Sequence, residues 1–350
     1  MNDFLSFSQI IGQEKAKGFL KQVIRGGKIP HSYLFTGIPG IGKTTTALAF
    51  TAALNCMNPE NGENCGSCPI CRQIAGRNFP DFLEIVPDGQ DIRISQIREL
   101  NRRIAFPPVS GGYRVSILQQ AERLNRESAN SFLKTLEEPP PNNIFILSVT
   151  DPLELLPTVV SRCQRVSFQP LSMEEICGFI RSREGVDKDS ADLAARLSGG
   201  SIGGALRICK EGFLEKRQRW ISRALNIPGL SRGQALKIAY DLGDEEKKVS
   251  DEEKPDERLI ILEMLEVWES WYRDLLATRL SCADEILINA DFSGKLKKIS
   301  KGLKIEGLIE NLSALDRAKS DLRRMRNTKL VMEHLLLALA GYAGREPGHI

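Results

Sequence analysis

Apolar and polar positions change their rhythm twice along the chain. Up to about residue 170, short apolar runs alternate with helix-like stretches. Ser32 to Thr36, Phe82 to Val86, Val115 to Leu118 and Ile144 to Ser148 read as strands, and Arg165 to Phe168 as a fifth. Between them, Thr44 to Leu54 is rich in Ala and Thr and predicts a helix. Ile92 to Ile104 carries Ile94, Ile97, Leu100 and Ile104 at helical spacing. Strands interleaved with helices predict an α/β domain with a parallel sheet.

Beyond Pro170 the strand pattern stops. Ser172 to Gly185 and Ala191 to Leu197 predict short helices, Gly199 to Gly204 interrupts, and Ala205 begins another. From Phe213 the pattern is helical, with Leu214 to Leu225, Glu257 to Leu280 and Ser313 to Ala340 as the main stretches. The charged run Gly243 to Pro255 predicts a solvated loop, and Gly344 to Ile350 a frayed tail. The expected domains are 1–170, α/β; 171–212, a small helical unit; and 213–345, all helical.

Composition narrows the function classes. The chain has 350 residues, 41% hydrophobic and 27% charged, with a formal net charge of +3. It is too apolar to be disordered overall and too nearly neutral to grip a nucleic acid alone by bulk charge. Its longest apolar run, Leu335 to Ala343, falls short of the roughly 20 residues of a membrane span. The start MNDFLSFSQII has neither the basic residues nor the apolar stretch of a secretory signal. The expected location is the cytoplasm, with no membrane partner.

Two motifs carry chemistry. Gly37-Ile38-Pro39-Gly40-Ile41-Gly42-Lys43-Thr44 follows a strand and opens a helix, and it matches a phosphate-binding loop. Backbone N–H groups would converge on phosphate oxygens, Lys43 would reach the β and γ phosphates, and the Thr44 hydroxyl would ligate Mg²⁺. Hydrolysis also asks for an acidic pair at the end of a later strand. Val115 to Leu118 ends instead in the uncharged Gln119-Gln120, and the next strand ends in Ser148-Val149-Thr150-Asp151. These residues predict a site that holds a nucleotide and hydrolyses it poorly or not at all.

The second motif is Cys56, Cys65, Cys68 and Cys71, four of eight cysteines. Four thiolates with two-residue spacings suit tetrahedral zinc, and with no coordination position left open the zinc is structural. Reduced surface cysteines, or a redox pair, are the plainer alternatives. Cys163, Cys177, Cys209 and Cys282 are expected as reduced core or surface residues. His31, His334 and His349 have no neighbours in a catalytic spacing. The stripe Trp268, Trp271, Tyr272 has helical spacing and reads as core or oligomer contact. Lys295, Lys297, Lys298 and Lys301, with Arg317, Arg323, Arg324 and Arg326, form either a patch or a solvated face. Arg114 and Arg165 are expected at the surface or at an interface.

The chain resembles the clamp-loader branch of the AAA+ ATPases, the bacterial DNA polymerase III subunits. The matching segments are Ile11-Gly12-Gln13, His31 to Gly37, the four-cysteine insertion, Asn130-Ser131-Phe132-Leu133-Lys134-Thr135-Leu136-Glu137-Glu138-Pro139-Pro140, and Ser161-Arg162-Cys163. Trp271 to Leu276 and Asn327 to Leu330 look like the family's collar. The resemblance implies an AAA+ domain with a zinc knuckle at 56–71, a helical lid and a helical collar.

It also implies two candidate subunit types, the gamma or tau motor and delta prime. Gln119-Gln120 in place of Asp-Glu looks like delta prime. So does Gly203 where the motor carries a phosphate-sensing arginine, and so does the lack of a long tau-type extension. In that family Arg162 acts in trans as an arginine finger on a neighbour's γ-phosphate, and Thr150 occupies a sensor position. The implied partners are gamma/tau motor and delta subunits in a ring, the sliding β clamp and primer-template DNA, all within the DNA polymerase III holoenzyme, a nucleotidyltransferase. ATP with Mg²⁺ is the implied ligand of Gly37, Gly40, Gly42, Lys43 and Thr44. A short gamma/tau motor, a free-standing nucleotide kinase and a scaffold that never meets nucleotide are the alternatives.

Overall fold

A computed structural model describes residues 6–210, 212–248, 257–324 and 326–341. The chain divides into two compact units, Met1–Cys209 and Lys210–Ile350.

The first unit is built on a five-stranded sheet. In chain order its elements are α1 (Glu14–Gly26), β1 (Ser32–Thr36), α2 (Lys43–Asn55), α3 (Pro69–Ala75), β2 (Phe82–Ile85), α4 (Ile94–Ile104), β3 (Arg114–Leu118), α5 (Arg126–Glu137), β4 (Asn143–Val149), α6 (Pro157–Val160) and β5 (Gln164–Ser167). Three helices follow: α7 (Met173–Glu184), α8 (Lys188–Leu197) and α9 (Ile202–Ile208). They belong to the same compact unit as the sheet. The strand order is β2-β3-β4-β1-β5, and every pairing is parallel.

β1, β3 and β4 are the central strands. Every residue of β3 and β4 is buried, which is why they read as continuous apolar runs rather than as alternation. One face packs α4 and α5 through Ile97, Leu100, Phe132 and Leu136 against Leu34, Phe145 and Leu147. Phe132 and Phe145 meet edge to face, 5.4 Å between centroids. Asn125 caps α5 by accepting the Ser128 N–H at 2.9 Å, and Ser172 caps α7 within a capping box to Glu175.

Arg114 is buried, contrary to its expected surface position. Its guanidinium pairs with Asp81 at 3.1 Å and donates to the carbonyls of Arg103, Phe106 and Pro107. Asp81 also accepts the N–H groups of Val109 and Ser110. The pair ties the α4–β3 connection to the start of β2. Nothing in the periodicity distinguishes this arginine from an exposed one.

The second unit is helical: α10 (Phe213–Asn226), α11 (Arg232–Lys248), α12 (Glu257–Arg279), α13 (Ser293–Ser300), α14 (Ile305–Arg323) and α15 (Thr328–Leu339). Its core is centred on Trp220, Trp268 and Trp271, all buried, and the Trp268 indole donates to the Trp220 carbonyl at 2.8 Å. The aromatic stripe is therefore core. Arg217, also buried, pairs with Asp291 and donates to the Asn289 side chain, whose backbone N–H reaches Asp274 at 2.6 Å.

Two expectations fail here. The helical stretch expected from Ser313 to Ala340 is divided between two helices, because Asn327 starts a new helix by accepting the Leu330 N–H. The stretch 243–248, expected as loop, continues α11; 249–255 lie outside the described residues, as does the expected frayed tail. No helix among the described residues is long and apolar enough to cross a membrane.

Removing one partner of a buried, hydrogen-bonded ion pair costs about 3–5 kcal/mol. Asp81→Ala should lose that much stability in a urea titration. A loss below about 1 kcal/mol, the scale of a surface pair, would mean that the pair does not hold the connection.

Candidate nucleotide site, cysteine cluster and arginine edge

Because the sheet is parallel, its two edges differ. The C-terminal ends of β1, β3 and β4 share one edge, and there the strand order turns about β1. The phosphate loop leaves β1 at this edge and leads into α2. Gly40 and Gly42 have φ of 73° and 103°, which lets the loop curl tightly. Lys43 is buried and donates to the carbonyls of Gly37 and Ile38. Burial lowers its pKa to about 8, and the nearby Glu122 carboxylate opposes that shift. Thr44 is half-buried in the first turn of α2, and Thr150 follows the end of β4 at the same edge. Gly37, Gly40, Gly42, Lys43, Thr44 and Thr150 are thus brought together.

Sequence reasoning passed over Glu122. It searched for an acidic pair directly after the strand and met Gln119-Gln120. Gln119 is taken up by a side-chain hydrogen bond to Glu84 of β2. Gln120, at φ 49°, turns the chain into a short 3₁₀ turn, Ala121–Arg123. This places Glu122 within electrostatic reach of Lys43, with the backbone N–H of Thr150 directed at its carboxyl group. Burial pushes the Glu122 pKa up, and Glu154 adds to the rise. The fourfold step from Leu118 to Glu122 is the only trace of this in the sequence.

The start of α9 closes over the phosphate loop. The Ser201 hydroxyl donates to the Pro39 carbonyl at 2.8 Å, and the Gly203 N–H donates to the Gly40 carbonyl at 2.9 Å. A Cβ on Gly203 would lie 2.9 Å from Gly40 Cα, and one on Gly40 would lie 2.6 Å from Ser201 Oγ. The contact is backbone against backbone, so position 203 has no room for a side chain, let alone an arginine. The expected glycine interruption at 199–204 is in part helix, since α9 starts at Ile202 with Ser201 as its cap.

The Cys56, Cys65, Cys68 and Cys71 sulfurs lie within 4.8 Å of one another. A tetrahedral zinc with bonds of about 2.3 Å places its sulfurs roughly 3.8 Å apart, so this donor set fits zinc. Cys56 ends α2, Cys68 caps α3, and Cys71 lies in its first turn. Backbone groups are turned toward sulfur: the Cys65 N–H donates to Cys56 Sγ at 3.1 Å. N–H groups of Ser67 and Cys68 hold the Cys65 thiol down to about 6. Ile74 of α3 and Phe79 pack on Leu48 and Ala52 of α2, which anchors the cluster to the phosphate-loop helix. The other four cysteines are free; Cys163, Cys177 and Cys209 are half-buried and Cys282 is exposed.

Arg162 stands at the opposite edge. It precedes β5, and Ser32 at the start of β1 donates to its carbonyl. Its guanidinium pairs with Glu137 at 2.6 Å and donates to the Thr158 carbonyl. Glu137 ends α5 just before β4, so both partners belong to the N-terminal edge. Arg165 is exposed on β5.

Alanine inside a helix normally gains about 0.5–1 kcal/mol over glycine. At position 203 the backbone approach should reverse that sign, and Gly203→Ala should lose about 1–3 kcal/mol in chemical denaturation. A stabilised variant would show that the close approach to Gly40 does not persist in solution.

Known proteins match this chain in parts. A family described as DNA polymerase III, delta subunit, matches residues 12–172, and one described as DNA polymerase III, delta subunit, C terminal, matches 248–341. DNA polymerase III subunit tau of Bacillus subtilis is 27% identical over 93% of this chain and 60% of its own length. Subunit tau of Escherichia coli is 33% identical over 59% of this chain, which spans only 33% of that protein. A DNA polymerase III gamma subunit-related protein of Thermotoga maritima superposes with a TM-score of 0.47 at 21% identity, covering 92% of this chain and 98% of the other. Together the two family matches span most of the chain, and with the tau subunits among its relatives they make the chain similar to the clamp-loader subunits of DNA polymerase III.

Proposed function

We propose that the chain is the delta prime-type subunit of a DNA polymerase III clamp loader. In this reading it joins gamma/tau motor and delta subunits in a ring through its helical unit. It helps place the sliding clamp on primed DNA, and it lends Arg162 to a neighbour's nucleotide site while hydrolysing little ATP itself. The observation that carries the reading is the placement of Arg162. It lies at the sheet edge away from the chain's own phosphate loop, so any phosphate it meets belongs to another molecule. A guanidinium there would stabilise charge spreading over a transferred phosphoryl group, an effect worth roughly 10³–10⁵ in rate. The neutral Gln119-Gln120 and the side-chain-free contact at Gly203 support weak hydrolysis at the chain's own site.

A gamma/tau-type motor is the second reading. It is favoured by the complete phosphate loop and by Glu122 facing Lys43. Turnover by the isolated chain separates the two. The delta prime reading expects negligible Mg²⁺-dependent ATP hydrolysis, and substantial turnover would support the motor.

In a complex reconstituted with motor subunits, clamp and primed DNA, Arg162→Ala should assemble normally and lower DNA-stimulated ATP hydrolysis. The pair it breaks is half-exposed and is worth about 0–1 kcal/mol, so folding should be spared. Unchanged hydrolysis in the assembled complex would remove Arg162 from the mechanism.

The four cysteines are proposed to hold one structural zinc. Metal analysis should give one zinc per chain, and a Cys65→Ser, Cys68→Ser double variant should carry none. Equal metal content in the two proteins would overturn the site.

A further inference from the structure

One carboxylate oxygen at the phosphate edge has no assigned partner. Glu122 Oε2 is buried and accepts no hydrogen bond. A buried acceptor without a donor costs about 1–3 kcal/mol, more when charged, so its persistence calls for an explanation. Its surroundings are specific. The Thr150 N–H, at the end of β4, is directed at the carboxyl group; Lys43, at the start of α2, attracts it; and Glu154, after β4, repels it. With one oxygen buried and without a donor, and Glu154 close enough to repel it, the Glu122 carboxylate leaves room for a further positive charge beside it.

Topology fixes what could approach. β3 and β4 are adjacent and β4 adjoins β1, so Glu122 follows a strand two places from the phosphate loop. Gln119, the first residue after β3, is held by Glu84 and has no charge to offer. Magnesium favours one or two carboxylates together with phosphate oxygens, and it keeps several of its waters. Glu122 supplies such a carboxylate, with one oxygen uncommitted, at the same edge as the Thr44 hydroxyl.

We infer that Glu122 is the acidic group that accepts the water shell of the magnesium ion of a bound nucleoside di- or triphosphate, in place of Gln119 and Gln120. The inference rests on the reading that the phosphate loop takes nucleotide. It makes Glu122 a positioning residue whose effect is on metal-dependent affinity. In the absence of nucleotide its carboxyl group serves as a partner in charge to Lys43.

The test is ADP binding to the full chain by titration calorimetry, with excess Mg²⁺ or with EDTA. The wild type should bind about tenfold or more tightly with Mg²⁺, a difference of about 1.4 kcal/mol. In Glu122→Gln that advantage should shrink to about twofold or less, with affinity in EDTA equal or tighter, because a negative charge facing the phosphates is gone. Glu122→Asp keeps the charge and should keep part of the advantage; it also serves if the glutamine variant folds poorly. Glu154→Gln, at an exposed position, should keep all of it. A full Mg²⁺ advantage in Glu122→Gln, or identical behaviour of the Gln and Asp variants, would overturn the role of Glu122 and leave the nucleotide site intact. No ADP uptake by the wild type under either condition would remove the nucleotide site itself.

Discussion

The common direction of the five strands is the constraint on which the site depends. In a parallel sheet all C-terminal ends share one edge and all N-terminal ends the other. The first edge receives the phosphate loop, Glu122 and Thr150; the second receives Arg162 and Glu137. One strand length separates two chemistries that could not serve each other within the chain. The phosphate-loop groups lie at one edge and the Arg162 guanidinium at the other. In the proposed ring, each edge would be completed by a different neighbour.

The two insertions around α2 act on the same loop. The cysteine cluster grips the far end of α2, while the near end begins in the loop itself. The N-cap and first turn of α9 hold the Pro39 and Gly40 carbonyls from outside. Those two bonds engage carbonyls and consume none of the loop's own N–H groups. A loop held at both ends loses less conformational freedom on binding, which favours retention of a phosphate site even where the residues for hydrolysis are absent. The glycine at 203 is what lets the two backbones come this close.

Much of this was legible in the sequence, for a physical reason. The buried central strands give near-continuous apolar runs; the edge strands β2 and β5 are shorter and more exposed, and the sequence placed every strand end to within one residue. The phosphate loop and the cysteine cluster depend on local spacing, which a sequence displays directly. What escaped depends on contacts across the fold. Arg114 looks like any arginine until Asp81, 33 positions earlier, is beside it. Glu122 looks like a solvated turn residue until Gln120 adopts a left-handed conformation and folds it back toward Lys43. The start of a new helix at Thr328 escaped because only the cap at Asn327 marks it.

The pairing of Arg162 with Glu137 fits a residue that must change partners. A half-exposed pair in high dielectric gains about 0–1 kcal/mol, so releasing it costs little. A guanidinium meeting a phosphate at a dry interface gains more, about 1.5–3 kcal/mol for a charge-assisted hydrogen bond. In the proposed role in trans, Glu137 would hold the side chain in place and yield it to a stronger anion. The Ser32 hydrogen bond to the Arg162 carbonyl holds the backbone independently of the guanidinium. The same economy applies to the whole chain: with a net charge of only +3, its affinity for anions has to come from a few placed groups rather than from a general field.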